Sequence, residues 1–319
     1  MSTASTASVS PIVEPPRPIH AGLEIGTSKI CVAVAEARDD GSLQLLAIGE
    51  SASRGVRKGE IVDPHEAAQC IRQALNEAEA QLGFSIDRVS VAFSGDLRRL
   101  HRTLDCLQSL QLKVDSVVSG AVASAHVIPH DGIDRPTLLI DLGGGVSDYC
   151  IMDQRGIWCE GVLLVGGDHL TCDLSIGLKI PVADAEALKI SEGSAHLGND
   201  DSETQPNRSL MRRIINLRVR EIFEQTRDRI AEHTSGDCVY TQVMLTGGTS
   251  QLPGISNVAE EVFLVPIKNL DITKITEDSK KLGSPAYTTA AGLTIIHQQR
   301  TRRLKRSTED LDIPTFLRK

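Results

Sequence analysis

The stretch Asp141-Leu142-Gly143-Gly144-Gly145-Val146-Ser147-Asp148 sets two carboxylates around three consecutive glycines. With no Cβ atoms at the tip, backbone N–H groups can approach an anion closely. The flanking aspartates are of the kind that hold Mg²⁺ through water. A plain tight turn would use the same glycines, so this stretch alone leaves both readings open. Leu23-Glu24-Ile25-Gly26-Thr27-Ser28-Lys29 has the same form, an acid followed by a glycine and small hydroxyls. Two such hairpins facing each other would clamp the phosphates of one nucleotide. Val243-Met244-Leu245-Thr246 runs into Gly247-Gly248-Thr249, where a flat base would lie against bare backbone. Glu186 and Lys189 are three residues apart and so share a helix face. They either reach a ribose or form an ordinary solvated face.

These groups need elements to hold them. Apolar runs at 137–140 and 149–152 flank the triple glycine and predict two strands joined by a turn. Three strands are expected earlier, at about 22–25, 30–37 and 43–50, with Asp39-Asp40-Gly41 as the second turn. Asp63-Pro64-His65-Glu66 reads as a helix start, with Asp as cap, Pro at the first position and Glu at the third. That helix should run to about Leu82, with Ile71 and Leu75 on its apolar face, and 89–94 should be the next strand. Leu97, Leu100, Leu104 and Leu107 form one helical stripe, expected to face the core. A long helix is expected from about 210 to 232 after a polar loop at 199–207, and a shorter one from 287 to 297. No internal repeat is evident in the residues.

The four motifs occur in the order of the actin-like ATPase superfamily, and within it the chain resembles FtsA, the bacterial cell-division actin homologue. Carrying the likeness are Gly22-Leu23-Glu24-Ile25-Gly26-Thr27-Ser28-Lys29, Ser53-Arg54-Gly55-Val56-Arg57-Lys58-Gly59-Glu60-Ile61-Val62-Asp63 and Val165-Gly166-Gly167-Asp168-His169-Leu170-Thr171-Cys172-Asp173-Leu174. Ala185-Glu186-Ala187-Leu188-Lys189 and Leu245-Thr246-Gly247-Gly248-Thr249 complete them. The resemblance implies an α/β, two-lobed actin-like (ribonuclease-H-like) ATPase fold with a nucleotide cleft between the lobes. It implies ATP and Mg²⁺ as cofactors. Gly26, Thr27, Ser28 and Lys29 would bind phosphate from one lobe, and Gly143, Gly144 and Gly145 from the other. Gly247, Gly248 and Thr249 would cover the adenosine, with Glu186 and Lys189 at the ribose. Glu24, Asp141 and Asp148 would hold the metal through water, and Asp141 would also orient the attacking water. The implied division of the chain is a disordered leader (1–18), a first lobe (19–134), a second lobe (135–283), a helix returning to the first lobe (284–298) and a flexible tail (299–319).

The chain departs from the family in several places. An inserted subdomain, 1C, is usual after the strand ending at Ser94, and only about one helix of sequence stands there. Glu24 replaces a customary aspartate, and Val146 a customary threonine hydroxyl, whose hydrogen bond is typically worth about 1 kcal/mol. The segment 119–125, where relatives carry a glutamine or glutamate that positions water, has neither acid nor amide. Slow or no turnover is the expectation. FtsA proteins commonly end in an amphipathic membrane helix, whereas this ending is short and interrupted by Pro314. It resembles instead the C-terminal peptide of FtsZ: Leu311-Asp312-Ile313-Pro314-Thr315-Phe316-Leu317-Arg318-Lys319. Ile313, Phe316 and Leu317 would be apolar anchors, and Asp312 would pair with a basic residue such as Arg218. Expected partners are FtsZ, full-length FtsA or another receptor of that peptide, or a second copy of this chain. Any membrane contact would be weak and peripheral, through the basic cluster Arg300, Arg302, Arg303, Lys305 and Arg306.

Composition sets the outer bounds. A formal charge of −8 and 3% aromatics argue against nucleic-acid binding and base-stacking platforms. The seven cysteines show no C-x-x-C spacing and read as reduced core residues of a cytoplasmic protein, at the division site by the resemblance. No apolar run approaches the roughly 18 residues of a membrane span. Two other readings use the same fold: a sugar- or acetate-kinase-like phosphotransferase, for which no catalytic acid stands out, and a DnaK-like chaperone, for which no substrate domain is evident.

Overall fold

The computed structural model describes residues 18–40, 42–94, 100–129, 132–197, 206–234, 240–270, 272 and 283–309. The leader to residue 17 and the final ten residues, with Asp312, Ile313, Phe316 and Leu317, lie outside them.

The first lobe opens with a meander, β1 (Ile19–Ile25), β2 (Lys29–Ala37) and β3 (Leu43–Ala52). A small hairpin follows, β4 (Val56–Arg57) and β5 (Glu60–Ile61), then α1 (Pro64–Leu82). Asp63 caps α1 by accepting from the His65 and Glu66 N–H groups, and left-handed Gly83 ends it. Next come β6 (Arg88–Ala92), α2 (Leu100–Ser109), β7 (Lys113–Val118) and α3 (Gly120–Ala125). Between β6 and β7 the described residues form only α2, whose Leu107 is fully buried while Leu100 and Leu104 are half-buried.

The second lobe repeats the plan with β8 (Thr137–Leu142), β9 (Ser147–Asp153) and β10 (Gly156–Leu163). Helices α4 (Gly167–Leu178), α5 (Val182–Glu192) and α6 (Pro206–His233) follow. After them come β11 (Gln242–Thr246), a 3₁₀ turn at Gly248–Gln251, α7 (Ile255–Phe263) and β12 (Ile267–Asn269). A second 3₁₀ turn, Pro285–Tyr287, leads into α8 (Thr288–Glu309).

Strand order is β3-β2-β1-β6-β7 in one sheet and β10-β9-β8-β11-β12 in the other. Each is an antiparallel meander extended by two parallel strands. The lobes are therefore topological copies, a repeat that the residues conceal.

Alternation along β2 explains the layering. Ile30, Val32 and Val34 pack towards α1, whereas Cys31, Ala33 and Ala35 pack with Tyr287 of the second 3₁₀ turn and with Ala290 and Ala291 at the start of α8. Helix α8 thus returns to the first lobe. Gly22 permits this approach, because a Cβ there would lie 2.5 Å from Leu293 Cβ. In the second sheet, Leu138, Ile140 and Ile151 face α4–α7, while Leu139, Cys150 and Met152 face α3.

Two expectations need correction. The flexible tail was to begin at 299, but α8 continues to Glu309. Residues 298–309 contain no Gly or Pro to stop it, and the basic cluster suits a helix C-terminal end. Cysteines 31, 70, 106 and 150 are buried, yet Cys172 is exposed.

Candidate functional site: a cleft between the lobes

Both glycine hairpins close in the same way. The Gly26 N–H donates to the Lys29 carbonyl and the Gly143 N–H to the Val146 carbonyl, each at 3.0 Å. The tips meet. A Cβ on Gly144 would fall 1.8 Å from Ser28 Oγ, and one on Gly145 2.3 Å from Thr27 Oγ1. Glycine is required here by the close approach of the other lobe. Gly26, Thr27 and Gly145 are spent on the turn and on this contact, and Thr27 Oγ1 also accepts from the Gly59 N–H.

Beside the tips lies a cleft of about 490 Å³. Ser28, Lys29, Gly143, Gly144, Glu186, Lys189, Gly247, Gly248 and Thr249 all line it, with Glu24 and Asp141 on its floor. The four motifs therefore converge on one space. Asp148 does not line it: this carboxylate sits beneath Gly120, where a Cβ would be 2.9 Å away.

The floor is electrostatically costly. Asp141 and Asp148 are register partners across β8 and β9, and both are buried. Asp141 Oδ2 accepts from Ser124 Oγ at 2.5 Å and Thr289 Oγ1 at 2.8 Å. Loss of solvent nonetheless raises the Asp141 carboxyl above its usual range. Burial raises Asp148 much further, and Asp141, Glu24 and Glu160 add to that shift. Glu24 is pushed up to about 7 by burial, against the pull of Lys29. Its Oε2 is buried and, among the described residues, has no hydrogen-bond partner. Lys29 itself lies 3.7 Å over the Tyr287 ring.

An orphaned carboxylate oxygen beside two more buried carboxylates is the donor chemistry that a hard cation takes. Among the described residues no three His, Cys, Asp or Glu side chains come close enough to ligate one ion directly. The donor set therefore fits Mg²⁺ held through water.

The opposite wall corrects the solvated-face alternative for Glu186 and Lys189. Lys189 is buried, and its Nζ donates to Glu186 Oε2 at 2.6 Å, Thr171 Oγ1 at 2.9 Å and the Gly167 carbonyl at 3.2 Å. Thr171 Oγ1 also donates to Glu186 Oε2. The other Glu186 oxygen is left to accept from a ligand hydroxyl.

Several lining residues escaped the sequence reading. Asp168, in the first turn of α4, accepts from Ser28 Oγ at 3.3 Å and links the lobes. The Gly167 and Asp168 N–H groups donate to the Gly143 and Gly144 carbonyls, and Thr249 Oγ1 to Gly143. Ile190, Leu252 and Pro253 give the far end apolar walls. Gly166-Gly167-Asp168 was visible as a motif, but not as part of a cleft.

Arg218 lies elsewhere, on α6. It donates to Asp173 through Nε (2.5 Å) and Nη2 (3.0 Å), and to Glu221 through Nη1 (2.6 Å). A guanidinium carries five N–H bonds, so two remain for another acceptor.

A family model described as cell division protein FtsA matches residues 138–292. The cell division protein FtsA of Borreliella burgdorferi is 27% identical over 390 aligned positions, covering 91% of this chain and 94% of that protein. Among solved structures, a PilM-PilN type IV pilus biogenesis complex superimposes with a TM-score of 0.70 at 16% identity, over 89% of this chain and 99% of that one. MreB5 of Spiroplasma citri bound to AMPPNP gives a TM-score of 0.67 at 14% identity, covering 92% and 100%. Fold, cleft and relatives agree: the chain resembles the cell division protein FtsA, most closely over residues 138–292, and shares the two-lobed actin-like fold of its solved neighbours.

Proposed function

We propose that the chain binds ATP with Mg²⁺ in the interlobe cleft and acts as a nucleotide-gated scaffold of the bacterial division apparatus. One observation carries this reading: four motifs scattered from Glu24 to Thr249 line a single cleft. The triphosphate would lie along Ser28, Lys29, Gly143 and Gly144. Glu186 would take the ribose hydroxyls, and the base would lie on Gly247-Gly248 between Ile190 and Leu252. Glu24 and Asp141, which line the cleft, would hold magnesium through water, and Asp148, which does not line it, would stand behind them. Bound magnesium supplies charge neutralisation to the phosphates. An MreB5 relative in the fold was solved with AMPPNP, which supports a nucleotide in this place.

Scaffolding rather than rapid turnover follows from the chain's own residues. Val146 offers no hydroxyl, segment 119–125 has no acid or amide, and Ser124 is committed to Asp141. We assign residues 19–134 to the first lobe and 135–283 to the second, with no 1C subdomain. The Borreliella alignment supports that assignment, since 390 positions exceed the 319 residues here and leave segments of the relative unmatched. The partners are FtsZ, a full-length FtsA or another receptor of the FtsZ peptide, reached through Asp312, Ile313, Phe316 and Leu317, or a second copy reached at Arg218. The place of action is the division site. Among the described residues no helix is long and apolar enough to cross a membrane.

Calorimetric titration with Mg-ATP tests the cleft. Heat and a thermal shift are expected, and a well-folded protein that gives neither refutes nucleotide binding. A pull-down from the native host, with and without the last nine residues, tests the tail: equal recovery of division proteins would refute its role.

A further inference from the structure

The two large sheets end in four edge strands, β3, β7, β10 and β12. An edge shows unpaired N–H and C=O groups, and proteins blunt it with short strands, lysines, inward charges or a covering helix. Three of these edges are blunted. β12 has only three residues, one of them Lys268. β7 carries Lys113 and Asp115, and Asp115 is engaged by Arg88 and His297. β3 lies under α1, so closely that a Cβ on Gly49 would fall 1.9 Å from the Ala74 carbonyl oxygen.

β10 is the exception. Among the described residues it pairs with β9 alone, and its eight residues include no lysine or proline. Its one charge, Glu160, accepts from Ser119 Oγ at 2.5 Å. The ladder with β9 skips Trp158, a bulge that re-aims this side chain. Trp158 is 46% exposed, Val162 37% and Leu164 50%, an apolar row along an open edge. A groove of about 940 Å³ runs beside it, along residues 161–165, and shares no lining residue with the nucleotide cleft. Gly161 opens the groove to Tyr149, whose hydroxyl would lie 2.3 Å from a Cβ there. The far walls are the last turns of α6 and, from the first lobe, Glu60 of β5. Charge on these walls is lopsided: Glu60, Asp228 and Glu232 stand against Arg229 and His233, and Arg229 already lies 3.7 Å from Glu232. Three acids against one permanent cation leave the rim negative.

We infer that β10 takes an extended peptide from a partner protein as a sixth strand of the second sheet. Main-chain hydrogen bonds to the open edge would hold it. Alternation along a strand sends successive side chains to opposite faces, so one face of the peptide must be apolar, to cover Trp158, Val162 and Leu164. The other must be basic, to meet Glu60, Asp228 and Glu232. A second copy of this chain does not suit the edge. Pairing β10 with β10 would set the same acidic rim against its copy, and like charges across a sheet repel.

The probe is a heptapeptide alternating lysine and valine. The readout is the emission of Trp158, the one tryptophan of the chain. Wild type should give a saturable blue shift as the indole is covered. The same peptide N-methylated throughout keeps its charges but cannot pair with a strand, and it should give no shift. A peptide alternating glutamate and valine should give none either. Val162→Lys and Asp228→Lys change exposed side chains, so the fold, checked by circular dichroism, should persist. Each should weaken binding about tenfold or more. No shift in wild type at millimolar peptide, an equal shift from the methylated or the acidic peptide, or unchanged affinity in both variants would overturn the inference. So would emission that moves with protein concentration alone, which would assign the edge to a second copy. Emission that moves when residues 311–319 are removed would assign it to this chain's own end, and overturn the inference likewise.

Discussion

Glutamine at position 24 should make the nucleotide-free protein more stable, and only above mildly acidic pH. The Glu24 carboxyl is pushed from 4.5 to about 7 because Oε2 is buried with no partner. Between those values the folded state binds more protons than the unfolded state, so stability falls as pH rises. Below pH 4.5 the penalty vanishes, and above pH 7 it is complete. A shift of this size is worth about 3 kcal/mol at 1.36 kcal/mol per unit. Glutamine keeps the shape and neutral polarity of the protonated acid, so Glu24→Gln isolates the cost of the charge. Thermal scans of nucleotide-free protein should show the variant's midpoint higher at pH 8, on the order of 5 °C, and close to wild type at pH 4.5. With Mg-ATP the order should reverse, because the wild-type carboxylate gains its cation and the amide does not. An equal midpoint difference at both pH values, or none at pH 8, would refute the account of Glu24 as an acid waiting for a ligand.

Lys189→Met should weaken Mg-ATP binding about tenfold and lower stability by about 1 kcal/mol, since it removes the Nζ donor to Glu186, Thr171 and the Gly167 carbonyl; titration and denaturant melts measure both. Gly144→Ala places a methyl 1.8 Å from Ser28 Oγ, so it should part the lobes and abolish the Mg-ATP thermal shift while the fold, read by circular dichroism, persists. His297 Nδ1 accepts from the Ala21 N–H while Nε2 meets Asp115 at 2.8 Å, and burial lowers its proton affinity. The unfolded state then takes up more protons than the folded one, so wild type should lose stability as pH falls below about 6.5, and His297→Asn should flatten that slope. Purified protein with Mg-ATP should be a monomer or dimer, and long homopolymers in electron micrographs would refute the loss of a longitudinal contact with 1C.

How much of this was legible depended on the range of the interaction. The hairpin tips could be read because Gly26 and the triple glycine act locally, where a tight turn and a close approach need a missing Cβ. The spacing of Glu186 and Lys189 gave a shared face, but their burial depends on Thr171 and Gly167 from another helix. Glu160 was invisible, because only the pairing of β10 with β9 and the crossing of α3 bring it to Ser119. The duplication of the lobes was hidden because topology repeats while side chains do not: the partner of Asp141 is Asp148, and that of the equivalent Glu24 is Cys31. The basic cluster looks like a change of character, yet no residue there breaks a helix, so α8 runs on through it.

The length of α8 limits where the tail can go. Twenty-two helical residues carry the chain about 33 Å from Thr288, along the side of the molecule that packs on β1 and β6. Asp312 is only three residues past Glu309, a leash of about 10 Å even if fully extended. A tail hinged at 299 would have had ten further residues of slack. Arg218 is on the other lobe, beside Asp173 of α4. With α8 intact, the peptide meets only receptors within reach of that short leash from the helix end, whether on the same molecule or on a neighbour. Where the rod ends, more than how long the tail is, sets which receptors the peptide meets.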